Sequence, residues 1–197
     1  MIFRSPPWDS VVYWSLDLET GGLDPKKDPI LAVGMVPIRE GTIRVGESFR
    51  TLVRPERGSA ITPESVQAHQ LVWRELQEAP PLGRVLPEIE SRLREGVLLV
   101  HHGGLDVTIL KRDFALERVA WPAPKVVDTM RLLLRNAHLR NPELSREQVT
   151  LNLSRARAEY GLPDYQAHDA LTDAISTAEL FLALRAALGA RTVRDLR

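Results

Sequence analysis

Apolar and polar positions along this chain follow two periods. Residues 11–19 form an apolar run rich in β-branched and aromatic side chains, which predicts a strand. The cluster Thr20-Gly21-Gly22-Leu23-Asp24-Pro25 ends it as a turn. A second apolar run, 30–38, predicts a second strand, and Glu40-Gly41 turns the chain into a third over 42–53. These three read as an antiparallel meander. The short run 97–100 is apolar at every position, as a strand covered on both faces would be. Val126-Val127-Asp128 predicts a brief strand or strand end.

Between and after these strands the spacing becomes helical. Val85, Leu86, Ile89 and Leu93 recur at a helical period within 82–94, and Gly96 stops that helix. Thr62 is placed to cap a helix opened by Pro63 and running to 71. Further helices are predicted over 106–117, over 129–138 up to the Asn141-Pro142 break, and over 145–160 up to Gly161 and Pro163. The last runs over 169–188 and ends at Gly189. The expected architecture is an α/β fold, a mixed central sheet of about five strands flanked by helices. With 197 residues and no repeat, low-complexity tract or composition shift, a single domain over 1–197 is expected, with 1–10 loosely held because Pro6-Pro7 cannot continue a helix.

Composition narrows the function classes. The apolar fraction of 44% and charged fraction of 26% are those of a soluble globular domain. A formal net charge of zero excludes the overall positive field of a non-specific nucleic-acid coat protein, but not a compact site that binds phosphate locally. With no cysteine, disulfides, Cys-zinc sites and thiol nucleophiles are excluded, and a reducing, cytoplasmic location is expected. The first residues lack the apolar core of a signal peptide, and no stretch approaches the ~20 apolar residues of a membrane span.

Several acids fall where burial is expected, and a buried charge is costly unless compensated. Asp17 and Glu19 are two apart on the first strand, so their carboxylates share a face while Leu16 and Leu18 take the other. Two such acids repel unless a cation lies between them; the alternative is an accidental pair on an exposed edge strand. Asp106 follows the strand 97–100 and lies near a helix start, where the helix dipole alone would favour an acid. His101 and His102 close that strand, and a polar strand end exposed to water accounts for them more simply than metal binding. His168 and Asp173 are five apart, roughly 140° around one helix. They converge only if His168 lies in the preceding loop, where it is either a general base or a solvated side chain.

Taken in order, Asp17-Leu18-Glu19-Thr20-Gly21-Gly22-Leu23, then His101 to Asp106, then His168 to Asp173 resembles the three motifs of the DEDDh exonuclease superfamily, which includes bacterial proofreading subunits. Ile61-Thr62-Pro63 with His69, and Val127-Asp128-Thr129, resemble two further family segments, so the likeness spans about 11–188. Two positions depart: the family usually has His-Asn at His101-His102 and Phe at Leu105. Leucine is apolar but stacks on a base poorly, which leaves base preference and affinity open.

The resemblance implies a ribonuclease H-like fold and 3′→5′ hydrolysis of single-stranded nucleic-acid ends to nucleoside 5′-monophosphates. It implies two divalent metal ions, magnesium or manganese, held by Asp17, Glu19, Asp106 and Asp173, with His168 as the base. By the same resemblance Thr20, Leu23, His69 and Leu105 grip the terminal nucleotide; for Leu23 and Leu105 the alternative is core packing. Three readings stay open: a DNA exonuclease of proofreading or repair, an exoribonuclease or short-oligonucleotide nuclease, and a catalytically inactive binding module. A polymerase or a second copy is left open as partner.

Overall fold

The computed structural model describes residues 5–56, 58–59, 61–69, 71, 73–165 and 169–197, with Val66, Ala68 and His69 by backbone alone. Six strands form one mixed sheet: β1 (Tyr13–Thr20), β2 (Ile30–Arg39), β3 (Thr42–Ile43), β4 (Phe49–Leu52), β5 (Val97–Val100) and β6 (Val126–Asp128). Their order is β3-β2-β1-β5-β6, with β4 also paired to β2. β1 is antiparallel to β2 and parallel to β5, and β5 is parallel to β6. The carboxyl ends of β1, β5 and β6 therefore meet at one end of the sheet, where sites form in such folds.

The α/β class and the mixed sheet are as the pattern predicts, with one correction. The single strand expected over 42–53 is two, β3 and β4, joined through a 3-10 turn at Val45–Glu47. Ile38 pairs with Ile43 and Met35 with Phe49, so three steps along β2 correspond to six on the partner. The excess loops out opposite Pro37, which has no N–H to donate; its carbonyl accepts from Arg44 N at 2.9 Å.

Helices cover both faces. α1 (Pro63–His69) and α2 (Trp73–Glu78) lead into α3 (Leu82–Glu95), followed by α4 (Gly104–Leu116), α5 (Thr129–Arg140), α6 (Leu153–Glu159) and α7 (Ala170–Ala187). Val85, Leu86, Ile89 and Leu93 of α3 and Ile109, Leu110 and Phe114 of α4 pack with Trp14, Leu16 and Leu18 on one face. Leu132 and Leu133 of α5, Ala156 of α6 and Phe181 and Leu184 of α7 pack with Tyr13, Val36 and Leu99 on the other. Adjacent β5 residues point into different clusters, as a strand covered on both faces requires.

Two further expectations are corrected. The helix expected over 145–160 is a capped 3-10 turn at Arg146–Gln148 and a separate α6. Asn152 restarts the helix by accepting from Arg155 N at 3.1 Å, a cap that breaks the apparent period. Residues 5–10 are docked rather than loose. Pro7 bridges to Thr192, Trp8 N donates to the Arg191 carbonyl at 3.0 Å, and the Trp8 ring meets Phe181 edge-on at 6.4 Å. Short α2 has no counterpart among the expected elements.

Candidate active site

β1 carries the site's first half by alternation. Tyr13, Ser15, Asp17 and Glu19 project toward α7, while Trp14, Leu16 and Leu18 enter the opposite core. Ser15 is fully buried on the α7 face, and its hydroxyl donates to the Ala174 carbonyl at 2.7 Å. The β1–β2 register shifts between Glu19 and Thr20, so the strand is irregular just where its acids end.

The amino end of α7 brings the second half. Asp169 caps the helix, accepting from the Thr172 N–H and hydroxyl, each at 3.0 Å, and Asp173 lies in the first turn. Gly34 of β2 lies directly opposite Asp17 in the sheet. A Cβ there would be 2.2 Å from the backbone C and O of Ala170, so α7 rests on bare β2 backbone. Arg50, the β4 partner of Gly34, donates to Asp169 at 2.5 Å and pins the same helix end.

Asp106 is placed by the turn between β5 and α4. Asp128, at the end of β6, accepts from the backbone N–H of His102 at 3.0 Å, Gly103 at 3.2 Å and Met130 at 2.9 Å. One carboxylate thus ties the β5–α4 turn to the start of α5. His102 holds φ 59°, the left-handed region where asparagine and histidine are both tolerated. That explains how a histidine occupies the usual asparagine position.

These elements converge on a carboxylate cluster. Oxygens of Asp17, Glu19 and Asp173 lie within 4.8 Å of one another. Burial holds the Asp17 carboxyl well above the usual carboxylate range, and the charges of Asp106, Asp173, Glu19 and Asp169 push it further. Glu19 is pushed up to about 7 by burial and then by Asp173, Asp169 and Asp106. Asp106 is pushed up to about 7, chiefly by burial with Asp128 adding to it. Each of these three carboxyls therefore ionises against burial and against its neighbours' charge, a cost that a bound cation would offset. The donors are all carboxylate oxygens, the hard ligands that suit magnesium or manganese, so the residues fit a divalent-cation site.

Residues 15–181 match the family model described as Exonuclease. The chain belongs to the exonuclease family. A DNA polymerase III PolC-type protein of Thermotoga petrophila is 29% identical over 179 residues, 89% of this chain but 12% of the relative. A DNA polymerase III subunit epsilon of Treponema pallidum is 30% identical over 175 residues, 88% of this chain and 76% of the relative. E. coli Exonuclease I in complex with a dA16 oligonucleotide shares the fold with a TM-score of 0.77 at 16% identity, over 91% of this chain and 42% of that one. The chain thus spans only a small part of its PolC-type relatives.

In this exonuclease-family chain the other sequence-predicted residues take different positions. Leu23 is 82% exposed on the turn after β1, so core packing does not explain it. Leu105 is half-buried and packs on the α3–α4 core. Thr20 ends β1 and donates its hydroxyl to the Gly22 carbonyl at 2.7 Å, shaping the turn. His69 ends α1, with its side chain outside the described residues, as is all of His168.

His101 is neither a free strand end nor a ligand. Its Nε2 lies 2.8 Å from the Leu151 carbonyl and its Nδ1 2.8 Å from the Thr129 hydroxyl. A carbonyl only accepts, so Nε2 donates; in the neutral ring Nδ1 is then an acceptor, and it shares the single Thr129 hydroxyl hydrogen with the Val100 carbonyl 3.2 Å away. Burial lowers the His101 pKa, in keeping with this neutral role.

Sequence reasoning missed Ser15, Gly34, Asp128 as a turn anchor, Asp169 and Arg112. Arg112 of α4 donates to the carbonyls of Pro25 at 2.9 Å and Asp28 at 2.8 Å, fastening the loop that carries Leu23. Arg157, only 3% exposed, holds the chain ahead of α7 by donating to the carbonyls of Pro163 and Ser176, each at 2.8 Å. A glycine inside a strand and an aspartate just before a helix were available signals for two of them. The others depend on contacts across the fold.

Proposed function

We propose that this chain is a 3′→5′ exonuclease that hydrolyses single-stranded DNA ends to nucleoside 5′-monophosphates. The observation that carries the reading is the meeting of Asp17, Glu19 and Asp173 within 4.8 Å in an exonuclease-family chain, with Asp106 close enough to raise Asp17. Asp17 would serve both of two divalent cations, with Glu19 and Asp173 helping to hold one and Asp106 the other. When bound, such cations offset the phosphate's charge and lower the pKa of water. His168 accepts the proton of the attacking water. Thr20, Leu23, His69 and Leu105 hold the terminal nucleotide, Leu23 by offering an apolar surface to the base.

Support for DNA comes from the names of the relatives, which are DNA polymerase III proteins, and from the oligonucleotide bound by Exonuclease I. The same names support a polymerase as partner. No helix among the described residues is long and apolar enough to cross a membrane.

The test is release of mononucleotides from single-stranded DNA and RNA of matched sequence, with magnesium, manganese or chelator. Cation-dependent release from a free but not a blocked 3′ end is expected, faster on DNA and absent in Asp17→Asn. Faster release from RNA would replace DNA with RNA as substrate. No release from either by folded protein would overturn the nuclease reading.

A further inference from the structure

A second candidate site lies beside α4, the helix that carries Asp106, and outside the acid cluster. A cavity of about 470 Å3 is lined by Gly104, Val107 and Thr108 of α4 and by Arg131, Leu132 and Arg135 of α5. These helices cover opposite faces of the sheet, so the cavity lies at the edge of β6, the terminal strand. One wall is the first turns of α4, the helix that carries Asp106.

Its charge is opposite to that of the acid cluster. Arg131, Arg135 and Arg197 line it, all exposed. The single acidic side chain among the described lining residues is that of Asp128, whose carboxylate is engaged by three backbone N–H groups. Arg135 donates to the Asp195 carbonyl. Arg131 makes no side-chain hydrogen bond or ion pair among the described residues, so its five donors face the cavity and solvent. The floor is apolar, with Val127 and Leu132 buried beneath it.

Arginines over an apolar floor form a surface that tracks a single strand, gripping phosphate while bases or sugars lie on carbon. We infer that this cavity binds the phosphodiester backbone of the strand upstream of its 3′ end, with Arg131 as the phosphate contact. The inference rests on the exonuclease reading above. It adds a division of labour: the acids act on the terminal linkage, and the β6-edge cavity sets affinity for longer strands.

The experiment compares the wild type with Arg131→Ala, Arg131→Glu and Arg131→Lys, leaving Arg135 in place because it anchors the C-terminal segment. Binding of a labelled oligothymidylate of about twelve nucleotides is followed by anisotropy in calcium across a salt series. Hydrolysis of the p-nitrophenyl ester of thymidine 5′-monophosphate, which carries no upstream phosphodiester, is followed alongside. Arg131→Ala should weaken oligomer binding about tenfold, the order of one charge-assisted hydrogen bond, and reduce the salt slope by about one. The glutamate variant should bind more weakly still, the lysine variant should recover most of the affinity, and ester hydrolysis should stay at the wild-type rate. Unchanged affinity and salt slope in Arg131→Glu would overturn the proposal. A wild type that hydrolyses neither ester nor oligomer would overturn the exonuclease reading instead, while the anisotropy titration would still decide the cavity.

Discussion

The Ser15 hydroxyl donates to the Ala174 carbonyl across 2.7 Å of buried core. Ser15 is two residues before Asp17, and Ala174 is the residue after Asp173, so this bond sets the height of α7 on β1 beside the acids. Ser15→Ala should cost about 1 kcal/mol, or roughly 2–4 °C in melting temperature for a domain of this size. It should also raise the manganese concentration needed for half-maximal thermal stabilisation. A melting point lowered with the cation response unchanged would reduce Ser15 to a packing role.

Gly34 supports the same helix from the neighbouring strand. An added Cβ would meet Ala170 backbone atoms at 2.2 Å, and backbone cannot turn aside as a flexible side chain would. Gly34→Ala should destabilise the fold by about 1–3 kcal/mol, the usual cost of overpacking, and should push Asp173 away from Asp17. Thermal melts with and without manganese should then show a smaller shift than the wild type gives. A full cation shift in a folded variant would show that the helix end has room to slide.

The raised carboxyls predict how the cation-free protein responds to pH. Glu19 and Asp106 titrate near 7 when folded, against about 4 in an unfolded chain. Between those values the folded state binds more protons than the unfolded state, so stability falls as pH rises from about 4 through about 7, and the raised Asp17 carboxyl acts in the same direction. In chelator, the melting temperature should decline from pH 5 to pH 8. Magnesium or manganese should oppose that decline, because the ligands they bind are the ionised acids. A chelated sample whose melting temperature rises over this interval would show that other groups dominate.

Leu23 allows a separation of binding from folding. It is 82% exposed, so Leu23→Ser should leave the melting temperature almost unchanged, within the about 0.5 kcal/mol typical of surface changes. If its side chain meets the terminal base, KM on single-stranded DNA should rise several-fold with little change in kcat. Equal KM in the two proteins would remove Leu23 from the nucleotide grip.

Much of this molecule was legible in the chain. The strand runs at 11–19, 30–38, 97–100 and 126–128 each appear in the structure within a residue or two. The shared face of Asp17 and Glu19 followed from strand alternation. The failures have local causes. Pro37 splits the third strand, and Asn152 restarts a helix inside an apparently continuous period. Leu23 was ambiguous because an apolar residue in a turn reads the same whether it is covered or bare; only the fold shows it exposed.

The sequence by itself determined the fold class, the strand that carries two acids and the order of the motifs, because period and turn chemistry are local. What brings Asp173 to Asp17 is not local. It needs a glycine in β2 that lets α7 lie on bare backbone, a buried serine that fixes its height, and Arg50 reaching from β4 to the helix cap. The raised carboxyl pKa values exist only once burial and the neighbouring charges are assembled. The arginine-lined cavity likewise joins helices from opposite faces at the sheet's last strand, a meeting that no spacing along the chain encodes.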